Sequence, residues 1–467
     1  MESKSLTKSA KKNLLIVGDL IILFSSLWLT LFLRYGLTVD YDLWQAHLFP
    51  FSVIIIIFLI IFYIEDFYEL GIGKGKVDLL NRLIQVIVIG SAFSFTFFYI
   101  GANRLFTIRP QRVFFIYIAI AAILIYLWRL WFYQVARSPK IADGVLFIGY
   151  NKKVGEIIKQ IQKRPELGFQ VRAIMPVTNG QTEPIPDEYQ NLVVAADLNQ
   201  LKEICQKIEV QTIITTVHPR EDKNLLKNLF NCLSLKISFF ELAKFYENIT
   251  GKIPVTTIEQ IWFLENLTES KKRTYNLIKN IADVIISIIL LIISLPLLPF
   301  IILAVKTTSS GPIFFTQVRM GKDGKTFTAI KFRTMVTGAE SNGPQWAAKN
   351  DPRITRVGKF LRKTRIDEIP QLINVLKGEM SLIGPRPERP EFVEQLKNQI
   401  PFYQERLMIK PGLTGWAQVM GPNYGGSLEE TMEKIQYDLY YIKNRSLALD
   451  LSILLKTIRT VLTKKGQ

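Results

Sequence analysis

Apolar and polar positions recur with different periods along this chain, and the period divides it. Leu14 to Leu33 is almost continuously apolar, about the length a helix needs to span a bilayer, and Lys4, Lys8, Lys11 and Lys12 precede it. The run is too long for a signal peptide and lacks a cleavage pattern. Similar runs follow at about Leu48 to Ile64, Ile84 to Ala102 and Val113 to Trp128. Four spans with a basic amino terminus inside return the chain to the cytoplasmic face. Lys74, Lys76 and Arg82 in the second loop agree with that orientation, whereas Arg104, Arg109 and Arg112 in the third run against it. Asp19 within the first run reads as an interfacial or paired acid, with a functional intramembrane carboxylate as the competing view.

From Gly144 the pattern shortens. VLFIGY, FQVRAIM, LVVAA, VQTIITTV and KISFFEL read as strands, with helical spacing at Lys153 to Lys163, Gln200 to Ile208 and Lys223 to Leu233. Strands alternating with helices predict a small parallel α/β domain over residues 141–250, following a transmembrane region over 1–140, with 251–270 as a linker. The turn after its first strand, Gly149 to Gly155, lacks the clustered glycines of a dinucleotide fingerprint, and the Tyr150 and Lys152 side chains would crowd a pyrophosphate. The domain therefore reads as a degenerate, Rossmann-like module with a structural or regulatory role.

A fifth apolar run, Ile281 to Val305, opens the last part of the chain, residues 271–467. Its length permits a span. Pro296 and Pro299, however, interrupt the helix near its middle, and both flanks are basic, with Lys271, Lys272, Arg273 and Lys279 before it and Lys306, Arg319 and Lys322 after it. A bent hairpin that enters and leaves on one face satisfies both features; an ordinary fifth span is the competing reading. Further on, Ile354, Val357, Phe360 and Leu361 recur at helical spacing among Arg353, Arg356, Lys359 and Arg362, and Leu447 to Leu462 repeats the pattern. Such amphipathic stripes suit either a core or a lipid surface.

Composition narrows the class. At 467 residues, two soluble units beside the membrane segments are expected, and 49% hydrophobic residues is a membrane-protein composition. With a net charge of +18, anionic membrane lipids and phosphorylated substrates fit this apolar chain better than nucleic acid, which is not expected as a partner. Cys205 and Cys232 have no close spacing, so neither a thiolate metal site nor a disulfide framework is expected. His47 and His218 are both far in sequence from the acidic motif described next. Chemistry there must run on carboxylates and cations, with or without a metal.

That motif is Arg365 to Glu391, RIDEIPQLINVLKGEMSLIGPRPERPE. Asp367 and Glu368 are adjacent carboxylates placed where a helix is expected to begin, with Asp as N-cap, Pro370 in the first turn, and Lys377 and Gly378 at the end. The helix dipole and the cations Lys359, Arg362, Lys363 and Arg365 would keep both acids ionised, able to hold a metal or attack an electrophile. Arg386 lies between Pro385 and Pro387, so its guanidinium sits on a stiff backbone suited to a phosphorylated substrate. Lys331 and Arg333 alternate with apolar neighbours as an edge strand would, and add positive charge. Glu388 and Asp438 are further metal or positioning candidates, and Trp416 in KPGLTGWAQV either frames a base or shapes a turn.

These residues resemble the catalytic core of bacterial polyprenyl-phosphate sugar-1-phosphate transferases, the large monotopic phosphoglycosyl transferases. The resemblance runs from about Lys271 to the C-terminus through QVRMGKDGKTF, KFRTM, the DEIPQ element, GPRPE and KPGLTGWAQV. It implies a UDP-sugar and undecaprenyl phosphate as substrates, release of UMP, and the first membrane step of exopolysaccharide, capsule or O-antigen synthesis. Glucose and galactose are the expected sugars. It also implies Mg²⁺ held by Glu368 with Asp367, and a re-entrant helix over 281–305 bent at a Ser-Pro pair, here Ser294 and Pro296 with Leu295 between them. A route follows in which Asp367 attacks the sugar-linked phosphate and the polyprenyl phosphate then displaces the enzyme. Lys331, Arg333, Arg386 and Arg319 are the expected substrate contacts, together with Glu388 and Asp438. The implied location is the inner membrane with the catalytic domain on the cytoplasmic face, and a homodimer through the N-terminal half is a further expectation.

Two other readings compete. A nucleotide-sugar dehydratase also joins four spans to a nucleotide fold, and Tyr275 and Lys279 have its Tyr-x-x-x-Lys spacing, but no glycine fingerprint precedes them. A non-catalytic scaffold of polysaccharide assembly predicts that Asp367 is dispensable.

Overall fold

The computed structural model describes residues 8–36, 39–65, 67–68, 76–101, 111–136, 142–164, 167–177, 183–194, 197–217, 222–258, 260–267, 272–339, 351–421 and 427–462. The chain divides into two compact units, Met1–Phe245 and Tyr246–Gln467.

Helices α1 (Lys8–Tyr35), α2 (Tyr41–Ile64), α3 (Lys76–Gly101) and α4 (Gln111–Ala136) open the first unit and contain the expected apolar runs. Lys12–Tyr35, Tyr41–Ile64 and Val113–Phe132 are long and apolar enough to cross a membrane, and the apolar part of α3, Leu83–Tyr99, is shorter. Their shared core includes Leu27, Phe51, Phe98 and Tyr117, whereas Leu33, Val88, Phe93 and Phe115 are exposed, a surface suited to lipid rather than water. Asp40 caps α2 ahead of its apolar run by accepting a hydrogen bond from the Leu43 amide at 2.8 Å. Asp19 is fully buried and ion-paired with Arg129 of α4, whose Nη1 also donates to the Phe67 carbonyl at 2.7 Å. Asp19 is thus a paired acid that fastens α1 to α4. Lys74, Arg104 and Arg109 lie outside the described residues, as does His218.

A parallel four-stranded sheet follows, built from β1 (Asp143–Ile148), β2 (Phe169–Met175), β3 (Thr212–Thr215) and β4 (Ser238–Glu241) in the order β2-β1-β3-β4. Helices α5 (Lys152–Lys163), α6 (Leu201–Lys207) and α7 (Lys223–Asn231) connect the strands. Segment LVVAA, expected as a strand, makes a single bridge from Val193 to Ile174 and is preceded by a 3₁₀ turn, Asp187–Leu192. Pro184 and Pro186 just upstream lack the amide donors that a longer edge strand would use. Gly149 after β1 has φ +85°, and a Cβ there would lie 1.9 Å from Thr216 Oγ1, so this glycine serves a tight approach of β1 and β3. Helix α8 (Leu242–Thr250) carries the boundary between the units.

In the second unit, the stretch 251–270 contains buried Ile253 and Val255 and a short helix, α9 (Gln260–Asn266). The apolar run Arg273–Thr308 is two helices, α10 (Arg273–Ser294) and α11 (Leu298–Thr308), joined by the 3₁₀ turn Leu295–Leu297. Ser294 is buried and its hydroxyl donates to the Leu291 carbonyl at 2.8 Å, while Pro296 in the turn offers no amide. Next come the antiparallel hairpin β5 (Phe314–Met320) and β6 (Thr326–Phe332), then α12 (Arg356–Thr364) and α13 (Gln371–Leu376). Strand β7 (Ser381–Ile383) pairs in parallel with β8 (Gly412–Thr414), with α14 (Pro390–Leu396) between them in sequence. Helices α15 (Trp416–Met420), α16 (Leu428–Asn444) and α17 (Leu447–Leu462) complete the unit. Both arms of the apolar run pack on it: Asp283 of α10 accepts bonds from Ser381 Oγ at 2.7 Å and the Leu382 amide at 3.3 Å, and Ile301 and Val305 of α11 share a core with Phe332 and Leu361.

Candidate active site

The two carboxylates are set by a backbone turn, not by a helix start. Helix α12 ends at Arg365, a non-glycine residue at φ +58°, at a local cost of about 1–2 kcal/mol. The chain then makes the 3₁₀ turn Ile366–Glu368, and α13 begins only at Gln371. Asp367 is therefore not the N-cap that its sequence position predicts; Pro370 holds that place before α13. The predicted end is correct, with Gly378 left-handed just beyond α13. A helix this short supplies little dipole, so the local charges decide the electrostatics.

Those charges converge on Glu368. Its Oε1 lies 2.9 Å from Lys331 Nζ on β6, 2.8 Å from Arg386 Nη2 and 3.8 Å from Arg365 Nη1. The carboxylate is buried, yet Arg386, Lys331 and Arg365 outweigh the desolvation and hold it well below the usual range, so Glu368 is an anion. Asp367 differs. Burial, reinforced by the adjacent Glu368 charge, pushes it up to about 6 against the pull of Lys331, Arg362 and Arg365. Asp367 Oδ1 is buried without a hydrogen-bond partner. The two acids are thus held unequally: Lys331, Arg365 and Arg386 keep Glu368 firmly anionic, whereas burial leaves Asp367 mostly ionised only above about pH 6.

Other expected residues brace this centre. Arg319 on β5 donates to the Pro387 carbonyl at 3.1 Å and lies 3.7 Å from Glu388, whose own carbonyl accepts from the Met320 amide at 2.8 Å. Both therefore tie the Gly384 to Glu388 loop to β5. Arg386 is the partly exposed tip of that loop, with its carbonyl held by Arg406 Nη2 at 2.8 Å. Asp438 on α16 is buried 2.9 Å from Arg406, one residue removed from Arg386, and burial raises it to about 6 despite that partner. Arg333 donates to the Ser309 carbonyl at 2.5 Å, which places it on the turn after α11. Trp416 is buried, donates to the Gly251 carbonyl at 3.0 Å and stacks on Tyr440, so it shapes packing instead of framing a base.

Arg406 was not singled out by sequence reasoning, because nothing around YQERLMIK marks a buried arginine. The glycines of KPGLTGW do have a visible purpose. A Cβ on Gly412 would lie 2.0 Å from the Gly384 amide nitrogen, and one on Gly415 2.2 Å from the Gly384 carbonyl oxygen. These glycines let β8 press against the loop that carries Arg386. Among the described residues no group of three or more His, Cys, Asp or Glu side chains gathers to hold a metal.

Residues 274–464 match the bacterial sugar transferase family, and residues 63–239 match a CoA-binding domain. The UDP-glucose:undecaprenyl-phosphate glucose-1-phosphate transferase of Klebsiella pneumoniae is 32% identical, across 94% of this chain and 93% of that protein. The UDP-N-acetylgalactosamine-undecaprenyl-phosphate N-acetylgalactosaminephosphotransferase of Aeromonas hydrophila is 42% identical, across 51% of this chain and 55% of that protein. The undecaprenyl-phosphate galactose phosphotransferase of Salmonella typhimurium is 40% identical across 42% of each chain.

Proposed function

This chain belongs to the bacterial sugar transferase family, and from that premise we propose that it transfers a hexose 1-phosphate from a UDP-sugar to undecaprenyl phosphate, releasing UMP. The observation that carries the reading is the asymmetry of the acidic pair: Glu368 is held by cations, while Asp367 offers an unpartnered, buried oxygen beside it. A carboxylate whose pKa is raised is a better nucleophile than an ordinary one and is still largely ionised at neutral pH.

In the first step an Asp367 oxygen attacks the sugar-linked phosphorus, the bond to the uridylyl phosphate breaks, and UMP leaves with the electron pair. In the second, an oxygen of undecaprenyl phosphate attacks the same phosphorus and the Asp367 carboxylate departs. The acceptor is already an anion, so no histidine base is needed. Lys331, Arg362, Arg365 and Arg386 carry more positive charge than the two acids neutralise, and that excess suits an incoming diphosphate. Magnesium, when bound, would be held by the unpartnered Asp367 oxygen with the Glu368 carboxylate, and would offset charge on the diphosphate.

We read α10 and α11 as a re-entrant hairpin bent at Leu295–Leu297. A straight helix of this length would extend about 54 Å, whereas both arms pack on one body through Asp283 with Ser381 and through Val305 with Leu361. A hairpin keeps the soluble donor and the membrane acceptor on the cytoplasmic face, and leaves the four-stranded sheet as a degenerate nucleotide fold with a structural role.

The test is turnover by the full chain in phosphatidylcholine nanodiscs containing undecaprenyl phosphate, with UDP-glucose, UDP-galactose and UDP-N-acetylgalactosamine offered separately. UMP release matched by lipid-linked sugar diphosphate is expected with one of them, suppressed by chelation and restored by magnesium. Absence of UMP across the panel would sink the proposal. Quenching without acceptor is expected to leave a phosphosugar on Asp367, read by peptide mass spectrometry.

A further inference from the structure

We propose that a second, cationic cavity at the foot of α10 binds the phosphate of an anionic membrane lipid, apart from the reacting centre. The cavity is open, about 130 Å³, and is lined by Tyr275, Lys279, Lys322, Lys410, Tyr441 and Arg445. That volume exceeds several-fold what one water needs, so a phosphate group fits.

Its charge balance favours an anion. Asp450 at its edge is already engaged, accepting from Tyr275 at 2.8 Å and Tyr441 at 2.7 Å, with Lys279 3.4 Å away. Asp283 is likewise taken up by Ser381, the Leu382 amide and Lys279. Arg445 lies over the Tyr275 ring, 5.9 Å from its centroid. Lys410 reaches the neutral Asn280 amide at 3.4 Å, and Lys322 is exposed; among the described residues neither is ion-paired. Two positive charges therefore remain without a carboxylate partner in a cavity whose acids are spent.

Its position names the source. Tyr275 and Lys279 line the cavity, while Leu277, Ile278 and Ile281 on the same turns of α10 are exposed and apolar. The cavity thus opens where the hairpin enters lipid, so a headgroup phosphate can sit among the cations while its acyl chains follow the apolar face. This inference rests on the hairpin reading given above.

The full chain would be purified in detergent and titrated with dioleoyl-phosphatidylglycerol or dioleoyl-phosphatidylcholine, bound lipid being counted by native mass spectrometry, with a parallel thermal-shift series for each lipid and for inorganic phosphate. Saturable binding of phosphatidylglycerol over phosphatidylcholine is expected. In the double variant Lys322→Gln with Lys410→Gln it should weaken roughly thirtyfold, since each cation contributes about 1 kcal/mol near a lipid surface. The single variant Lys322→Gln, at an exposed position, should lose part of that preference and covers the case in which the double variant folds poorly. Equal binding of the two lipids, or full retention of the preference in both variants, overturns the proposal. Stabilisation by inorganic phosphate equal to that by phosphatidylglycerol overturns the lipid assignment in favour of a soluble phosphate compound. UMP release is followed in the same preparations: turnover without lipid preference rejects this site alone, and loss of UMP release with the preference intact rejects the transferase reading alone.

Discussion

Arg406 donates a hydrogen bond to the main-chain carbonyl of Arg386 at 2.8 Å, so the arginine that grips Glu368 is held from behind by a second arginine. Arg406 is buried and its charge is balanced by Asp438 at 2.9 Å. Asp438→Asn removes that counter-charge and is expected to cost about 3 kcal/mol of stability, because a buried guanidinium is left uncompensated. Release of the Arg386 loop should lower kcat/KM about a hundredfold. Denaturant unfolding and UMP release check the two effects, and an unchanged unfolding midpoint would show that the clamp is dispensable.

Asp367→Asn is expected to lower turnover by at least about a thousandfold and to abolish the enzyme-bound phosphosugar. Stability should move the other way. Asp367 holds its proton more tightly folded than unfolded, so the unfolded chain releases it at lower pH, and its contribution to stability falls as pH rises from about 4 through about 6. At pH 7.5 the asparagine variant should therefore melt no lower than the parent; a marked loss of melting temperature would make its inactivity a folding effect.

Activity should fall on the acid side as Asp367 takes up its proton. Below about pH 6 the expected slope of kcat/KM is tenfold per pH unit. Because Asp438 is raised to a similar value, the assignment needs a variant. Glu368→Gln removes the neighbouring anion that helps to raise Asp367, and should shift the acid limb of its residual activity to lower pH. A limb that stays in place would assign it elsewhere.

Gly412→Ala tests the contact between β8 and the arginine loop. The added methyl would lie 2.0 Å from the Gly384 nitrogen and 2.4 Å from the Thr414 oxygen, both backbone atoms that cannot swing aside. Overpacking of this kind costs about 1–3 kcal/mol, and it should displace Arg386. Thermal unfolding together with the KM for UDP-sugar would register both; wild-type values for each would mean that the loop tolerates the shift.

Much of the architecture was legible in residue order alone, since apolar period, proline placement and turn glycines act over short spans of chain. The four N-terminal helices, four of the five expected strands, the interruption around Pro296 and the end of α13 at Gly378 are all of that kind. The Asp367–Glu368 pair and Arg386 stood out as charged residues in the sequence, but their reading as a site came from the resemblance carried by the surrounding motifs. What only the tertiary structure decided are the long-range pairings: Arg406 with Arg386, Asp283 with Ser381, Asp19 with Arg129, and Arg333 with the turn after α11. The different charge environments of the two acids belong there too. Adjacent in sequence, Asp367 and Glu368 look equivalent; they differ because Lys331 and Arg386, brought in from distant segments, both reach Glu368, and charge at a few ångströms outweighs anything a residue's neighbours in sequence can announce.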